Sequence, residues 1–151
     1  MDLFYKLLLA LAAAFAVYWI FKTKKLVPAL ISIGMIIAVV MVIFPSLALF
    51  GPGLYTYMAF VALAFIYGLA VKSKNFGERL VISLMSAPLF IYWLWVLNHW
   101  HGSVFWAPLI VILTALIGLI CKAKLKNETG FLAILLTDAV AIILEIMIRS
   151  I

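Results

Sequence analysis

The sequence predicts an all-α polytopic membrane protein, and three features support that fold class. Of the 151 residues, 70% are apolar and 11% are charged, whereas soluble domains are about half apolar and a quarter charged. The mean hydropathy is +1.34. Six apolar stretches are each long enough for a transmembrane helix. We therefore expect a single integral membrane domain over residues 1–151, surrounded by the lipid bilayer, and no nucleic-acid binding.

Six predicted spans follow one another along the chain, separated by short polar loops or by Gly and Pro. The first three predicted spans are Leu3–Phe21, Val27–Phe50 and Leu54–Val71. The other three predicted spans are Leu80–Leu97, Val104–Cys121 and Phe131–Ile148. The sequence Gly51-Pro52-Gly53 is typical of a tight reversal and is expected to join spans two and three. Loops this short predict a bundle of three hairpins. The first run lacks a clearly basic start and continues past its small-residue site, so a retained span is expected, not a cleaved signal peptide.

The basic residues predict the orientation of the chain in the membrane. Nine of the 11 Lys and Arg residues lie in the loops after spans one, three and five, and Lys6 and Arg149 are the other two. Because cytoplasmic loops carry the excess of positive charge, we expect both termini on the non-cytoplasmic side of a bacterial inner (plasma) membrane. Aromatic residues at the outer ends of spans four and five are expected to form an interfacial belt; they are Tyr92, Trp93, Trp95, Trp100 and Trp106.

The three basic loops allow further interpretations. They could bind anionic headgroups or a cytoplasmic partner, although topology alone explains their charge. The pattern Lys-x-Lys recurs at fifty-residue intervals, at Lys22, Lys72 and Lys122, which indicates either an internal repeat or the ordinary length of a helical hairpin with its loops. Asn127-Glu128-Thr129 matches a glycosylation sequon, but on the cytoplasmic side it would not be used.

Asp138 and Glu145, two of the five acidic residues, fall inside the sixth span. An uncompensated charge at the bilayer centre costs at least about 2.5 to 3.5 kcal/mol. The two carboxylates are two helical turns apart and project from nearly the same face, so we expect that face to contact protein or water and not lipid.

Asp138 is the candidate ionisable centre of an ion or substrate pathway. Ser32, Ser86 and Thr114 lie at a similar predicted depth and are expected to share a polar layer with it. The alternative is that these groups hydrogen-bond between helices and only fix their packing. Pro45 and Pro88 within spans two and four are candidate kinks, which in transporters often mark a substrate path.

Three residues are candidates for an outer vestibule, namely Glu145, His99 and His101. Glu145 precedes Arg149 by one helical turn, which favours an ion pair between them. The two histidines could bind a metal, but zinc and copper sites need a third or fourth ligand and the sequence identifies none. Otherwise they are interfacial polar residues beside tryptophans.

Two functions are compatible with these features. The first is movement of a small solute or ion across the membrane through Asp138. The second is a non-catalytic subunit that stabilises a larger membrane complex, with Asp138 paired to a partner helix. Either would act as a homo-oligomer or with a partner membrane protein. The chain has no G-x-S-x-G or H-E-x-x-H motif, so we expect no enzymatic activity and no cofactor.

Overall fold

The computed structural model describes residues 2–44, 47–72 and 74–151. These residues form six α-helices and no strand: α1 Asp2–Ile20, α2 Leu26–Ile43, α3 Leu47–Ala70, α4 Phe76–Leu97, α5 Trp106–Ile120 and α6 Thr129–Ser150. All of them except α5 are long and apolar enough to cross a membrane. The predicted all-α class is confirmed, and the apolar helices indicate a membrane-embedded protein.

Helix α5 is shorter than the predicted span Val104–Cys121. Its 15 residues correspond to a length of about 22 Å, whereas the hydrocarbon core of a bilayer is about 30 Å thick. Phe105 occupies the N-cap position and Pro108 lies in the first turn, where a proline is tolerated because its missing N–H would have no helical partner. At the other end the chain turns at Cys121 and Lys122, and Lys122 has a positive φ of 51°.

The predicted reversal at Gly51-Pro52-Gly53 is wrong, because α3 begins at Leu47 and includes all three residues. A Cβ on Gly53 would lie 2.9 Å from Met41 Cβ and 3.1 Å from the backbone nitrogen of Val42. Gly53 therefore lets α3 approach α2 closely instead of forming a turn, a common use of glycine in membrane helices. Pro88 lies within the continuous helix α4, and Pro45 lies outside the described residues.

Helix α6 is the most widely contacted helix of the bundle. Consecutive helices pack against each other, α1 packs against α6, and α6 also contacts α2 and α4. Its buried face includes Phe131, Ile134, Leu135 and Ala139, each of which is fully buried. Asp138 is buried on the same helix and therefore faces the interior of the bundle.

Three loops meet at one end of the bundle, which we call the lysine end: residues 21–25, 71–75 and 121–128. The backbone N–H of Lys24 donates to Asn127 Oδ1 at 3.0 Å, and Lys74 Nζ donates to the carbonyl of Lys124. Trp19 Nε1 donates to the carbonyl of Lys126. These bonds attach the first two basic loops and the end of α1 to the third basic loop. The opposite end, where α1 begins, is called the terminal end.

Two glycines near the start of α3 provide a matched test of this packing. Replacing either by Ala improves helix propensity by about 0.5–1 kcal/mol, and a Cβ on Gly51 meets nothing within 4 Å. We expect Gly51→Ala to leave thermal stability in detergent unchanged or raised, and Gly53→Ala to lower it, since overpacking typically costs about 1–3 kcal/mol. Equal stability of the two variants would contradict the close α2–α3 contact.

Candidate functional site

Asp138 is the centre of a hydrogen-bonded cluster that joins four helices. Its side chain is buried, with 1% of the residue surface exposed. Oδ1 accepts a hydrogen bond from Tyr5 Oη at 2.7 Å. Oδ2 accepts one from Tyr57 Oη at 2.9 Å and one from Trp93 Nε1 at 2.9 Å. The donors come from α1, α3 and α4 respectively, so one carboxyl group connects these three helices to α6.

Each donor is a residue whose polar atom requires a partner when it is buried. Tyrosine and tryptophan combine a large apolar body with one polar group, and a buried O–H or N–H is costly without an acceptor. Tyr57 is 5% exposed, so its hydroxyl depends on a partner within the protein. Trp93 packs edge-on against Tyr92, with ring centroids 5.4 Å apart. The aromatic rings fill apolar space, and their polar atoms converge on the carboxyl group.

A small cavity adjoins this cluster. Its volume is about 40 Å³, and its lining includes Asp138 and its three donors together with Leu9, Val39, Val42 and Leu54. A water molecule needs about 10–15 Å³, so the cavity has room for at least one water or a small ion. Val42 is near the end of α2 and Leu54 is in the first half of α3, which places the cavity on the terminal side of the bundle.

The described hydrogen bonds to Asp138 do not come from Ser32, Ser86 or Thr114. The hydroxyl of Ser86 donates to the carbonyl of Ile82 at 2.8 Å, and that of Thr114 donates to the carbonyl of Ile110 at 2.7 Å. Both are bonds within one helix, which is a common way for membrane helices to satisfy a hydroxyl.

Ser32 lies elsewhere in the core. It is 1% exposed, and a Cβ on Gly130 would lie 3.0 Å from its Oγ. Gly130 precedes Asp138 by about two turns of α6, or roughly 12 Å. Similar depth does not give helical residues the same direction, and the described hydrogen bonds to Asp138 come from aromatic side chains instead of these three residues. Their role in a pathway stays a prediction.

The expected ion pair at the end of α6 is present. Arg149 Nη2 and Glu145 Oε1 are 2.6 Å apart, and 29% of the Glu145 side chain is exposed. His99 and His101 are exposed in the loop after α4, and His99 has a positive φ of 51°. In the part of the chain that the structure describes, no group of three His, Cys, Asp or Glu side chains could hold a metal ion. The vestibule itself stays a prediction.

A second buried carboxyl group lies at the lysine end and was not predicted from the sequence. Glu128 is fully buried. Its Oε1 accepts a hydrogen bond from Tyr67 Oη at 2.6 Å, and its Oε2 lies 3.3 Å from Lys74 Nζ. This ion pair is well shielded from solvent, since the side chain of Lys74 is 10% exposed and that of Glu128 is not exposed at all.

Glu78 makes a related contact at the same end. Its Oε1 accepts a hydrogen bond from the backbone N–H of Lys124 at 3.1 Å, and its own N–H donates to the N-cap residue Asn75. Glu78 and Glu128 thus both bind the basic loops into the bundle. The sequon residues Asn127 and Glu128 therefore have structural roles at the junction of loops 21–25, 71–75 and 121–128.

The sequence partly indicates which side chains are hydrogen-bond partners of the buried carboxyl groups. Tyr5 and Tyr57 are tyrosines within predicted spans, and such hydroxyls need an acceptor at depth. The sequence predicts that Trp93 belongs to the interfacial belt, but its indole N–H donates to Asp138. Trp100 and Trp106 are about half exposed, consistent with that belt. Nothing in the sequence separates Trp93 from these two, because both environments suit an aromatic ring with one polar atom.

Comparisons of the chain with protein-family models, with curated proteins and with solved structures find no match. The function proposed for the chain therefore rests on the chemistry of Asp138 and its surroundings.

The contribution of the Asp138 cluster to stability can be measured with two tyrosines of α3. We expect Tyr57→Phe to lower the free energy of unfolding by about 1–3 kcal/mol, the usual cost of leaving a buried acceptor without its hydrogen-bond partner. Tyr55→Phe is the control, since Tyr55 is 64% exposed and surface substitutions change stability by about 0.5 kcal/mol or less. Unfolding in mixed micelles gives both values, and equal values would argue against the Tyr57–Asp138 bond.

The ion pair at the lysine end is tested by Lys74→Met. Removing one partner of a buried pair leaves an uncompensated charge, so we expect a loss of about 3–5 kcal/mol. Lys72 is exposed, and Lys72→Met is the matched control. Adding Glu128→Gln to Lys74→Met should restore part of the loss, because the remaining side chain is then neutral. If Lys74→Met alone is as stable as the wild type, the ion pair contributes nothing to stability.

Proposed function

We propose that the protein moves a small ion or solute across the membrane, with Asp138 as the ionisable centre. The observation that carries this proposal is a buried carboxyl group, bonded from three other helices and bordering a cavity. Ionisable groups inside membrane bundles are costly, and they characteristically belong to ion pathways or proton relays. The carboxyl faces the interior of its own bundle, as a pathway residue would.

The composition of the site suits a proton or a small hard cation. The carboxyl group and the hydroxyls of Tyr5 and Tyr57 supply oxygen atoms around the cavity, and oxygen is the ligand that hard cations prefer. The same groups could pass a proton along hydrogen bonds. The apolar remainder of the lining would exclude bulk water from the site.

The topology that we propose has six spans in three hairpins, with both termini on the non-cytoplasmic side of a bacterial inner membrane. It is supported by the nine basic residues of the odd-numbered loops and by the hydrogen bonds that join those loops at one end. Helix α5 would cross as a short span with flanking residues 104–105, accommodated by local thinning of the bilayer. The cavity beside Asp138 then lies on the non-cytoplasmic side.

The decisive experiment is a proton and cation flux assay on the purified protein in liposomes. We expect the wild-type protein to produce flux. We expect Asp138→Asn to reduce the rate to that of empty liposomes, because the amide cannot exchange a proton or balance the charge of a cation. Asp138→Glu, which keeps an ionisable group, should retain part of the flux. Glu78→Gln is the control, since it makes the same change of acid to amide at the lysine end. Size-exclusion profiles establish that each variant is folded.

Two outcomes would count against the proposal. Flux that is unchanged by Asp138→Asn would exclude Asp138 from the pathway. No proton or cation flux from folded wild-type protein would favour the second hypothesis, a non-catalytic subunit of a larger membrane complex, and co-purification from native membranes would then identify the partner. The buried position of Asp138 argues against the form of that hypothesis in which its carboxyl pairs with a partner helix.

A further inference from the structure

A wide apolar groove opens at the lysine end, and it shares no lining residue with the cavity beside Asp138. Helices α1 and α5 do not pack against each other in the described part of the chain, and the space between them has a volume of about 760 Å³. Phe15 of α1 and Leu119 of α5 line its two sides, and Met85 of α4 and Leu136 of α6 line its interior. The groove therefore has hydrocarbon-like walls contributed by four helices.

The entrance to the groove is positively charged. Lys124 and Lys126 line it, and Lys22 lies beside it with its ammonium 5.1 Å from the ring centroid of Trp19, another lining residue. The carboxylates described at this end have partners other than the ammonium groups of Lys124 and Lys126. Glu78 accepts a hydrogen bond from the Lys124 backbone, and Glu128 pairs with Lys74. The described ion pairs do not include the ammonium groups of Lys124 and Lys126.

The groove extends along part of one leaflet of a bilayer. From Thr129 to Leu136, both of which line the groove, helix α6 advances seven residues, or about 10 Å, and one leaflet contributes about 15 Å to the hydrocarbon core. A ligand of this site would need a negatively charged head at the membrane surface and an apolar tail that follows the groove into the leaflet. Basic pockets between transmembrane helices on the cytoplasmic side bind anionic lipid headgroups.

We propose that this groove binds one anionic phospholipid, with its phosphate at Lys124 and Lys126 and an acyl chain between Phe15 and Leu119. The lipid fills the space that α1 and α5 leave open, and it completes the bundle on that side. The site does not depend on Asp138 or on transport. It selects for negative charge at the head, because its entrance carries cations and its interior is apolar.

The test is retention of lipid by the purified protein. The full chain is reconstituted in nanodiscs of equal parts phosphatidylglycerol and phosphatidylcholine, released into a mild detergent and examined by native mass spectrometry. We expect one retained phosphatidylglycerol per chain and little phosphatidylcholine. Lys124→Gln combined with Lys126→Gln should weaken this binding about thirtyfold, as expected for two lysines at an anionic headgroup.

Two further variants separate the charge from the groove. Lys6→Gln combined with Lys72→Gln removes the same charge from residues that do not line the groove, and retention should be unchanged. Ala133→Trp keeps both lysines but fills the apolar interior, and retention should be lost. Equal retention of the two lipids, or undiminished binding by the Lys124 and Lys126 variant, would overturn the proposal. A protein retained in the groove in place of lipid would also overturn it.

Discussion

The requirement that a carboxyl group inside an apolar bundle must find its hydrogen bonds within the protein constrains much of this structure. Lipid offers no donor, so Asp138 takes them from Tyr5, Tyr57 and Trp93 on three other helices. A hydrogen bond tolerates displacements of only a few tenths of an ångström before it weakens. The rotation and axial position of α1, α3 and α4 relative to α6 are therefore specified together at one point. Apolar contacts alone would specify them less sharply, since such contacts are non-directional.

Helix α6 is held by polar contacts at two points, at Asp138 within the helix and at Glu128 at its beginning. These two contacts differ in chemistry. Asp138 is bonded by neutral donors deep in the bundle, whereas Glu128 pairs with the cation of Lys74 and accepts from Tyr67. A cation near the membrane surface can reach a carboxylate at the end of a helix, but at mid-depth a second charge would add its own desolvation cost. The two sites are ten residues apart, about 15 Å, so they restrain both the position and the tilt of α6.

The sequence predicted the helical class and the approximate limits of most helices, because long apolar segments bounded by lysines are a strong signal. It failed at Gly51-Pro52-Gly53, since turn residues of soluble proteins are compatible with membrane helices when the glycine permits close packing. It predicted that Asp138 faces protein or water, but not which side chains donate hydrogen bonds to it. Depth along a helix can be counted from the sequence, whereas the direction of a side chain depends on which helices are neighbours. Ser86 and Thr114 show the difference, because each bonds to the backbone of its own helix.

The lysine end also bears on the fifty-residue recurrence in the sequence. Lys74 and Lys124 are fifty residues apart, and so are Glu78 and Glu128, each four residues after its lysine. The contacts are exchanged between the two segments, because Lys74 pairs with Glu128 while the backbone of Lys124 donates to Glu78. Loop length alone does not require such reciprocity, whereas duplication of a hairpin with its polar residues would produce it. The first segment has Pro28 at the corresponding position and cannot make this contact. The exchange of contacts therefore favours a repeat that relates the second and third segments. The first segment is joined to the third by a different contact, the hydrogen bond from the Lys24 backbone to Asn127.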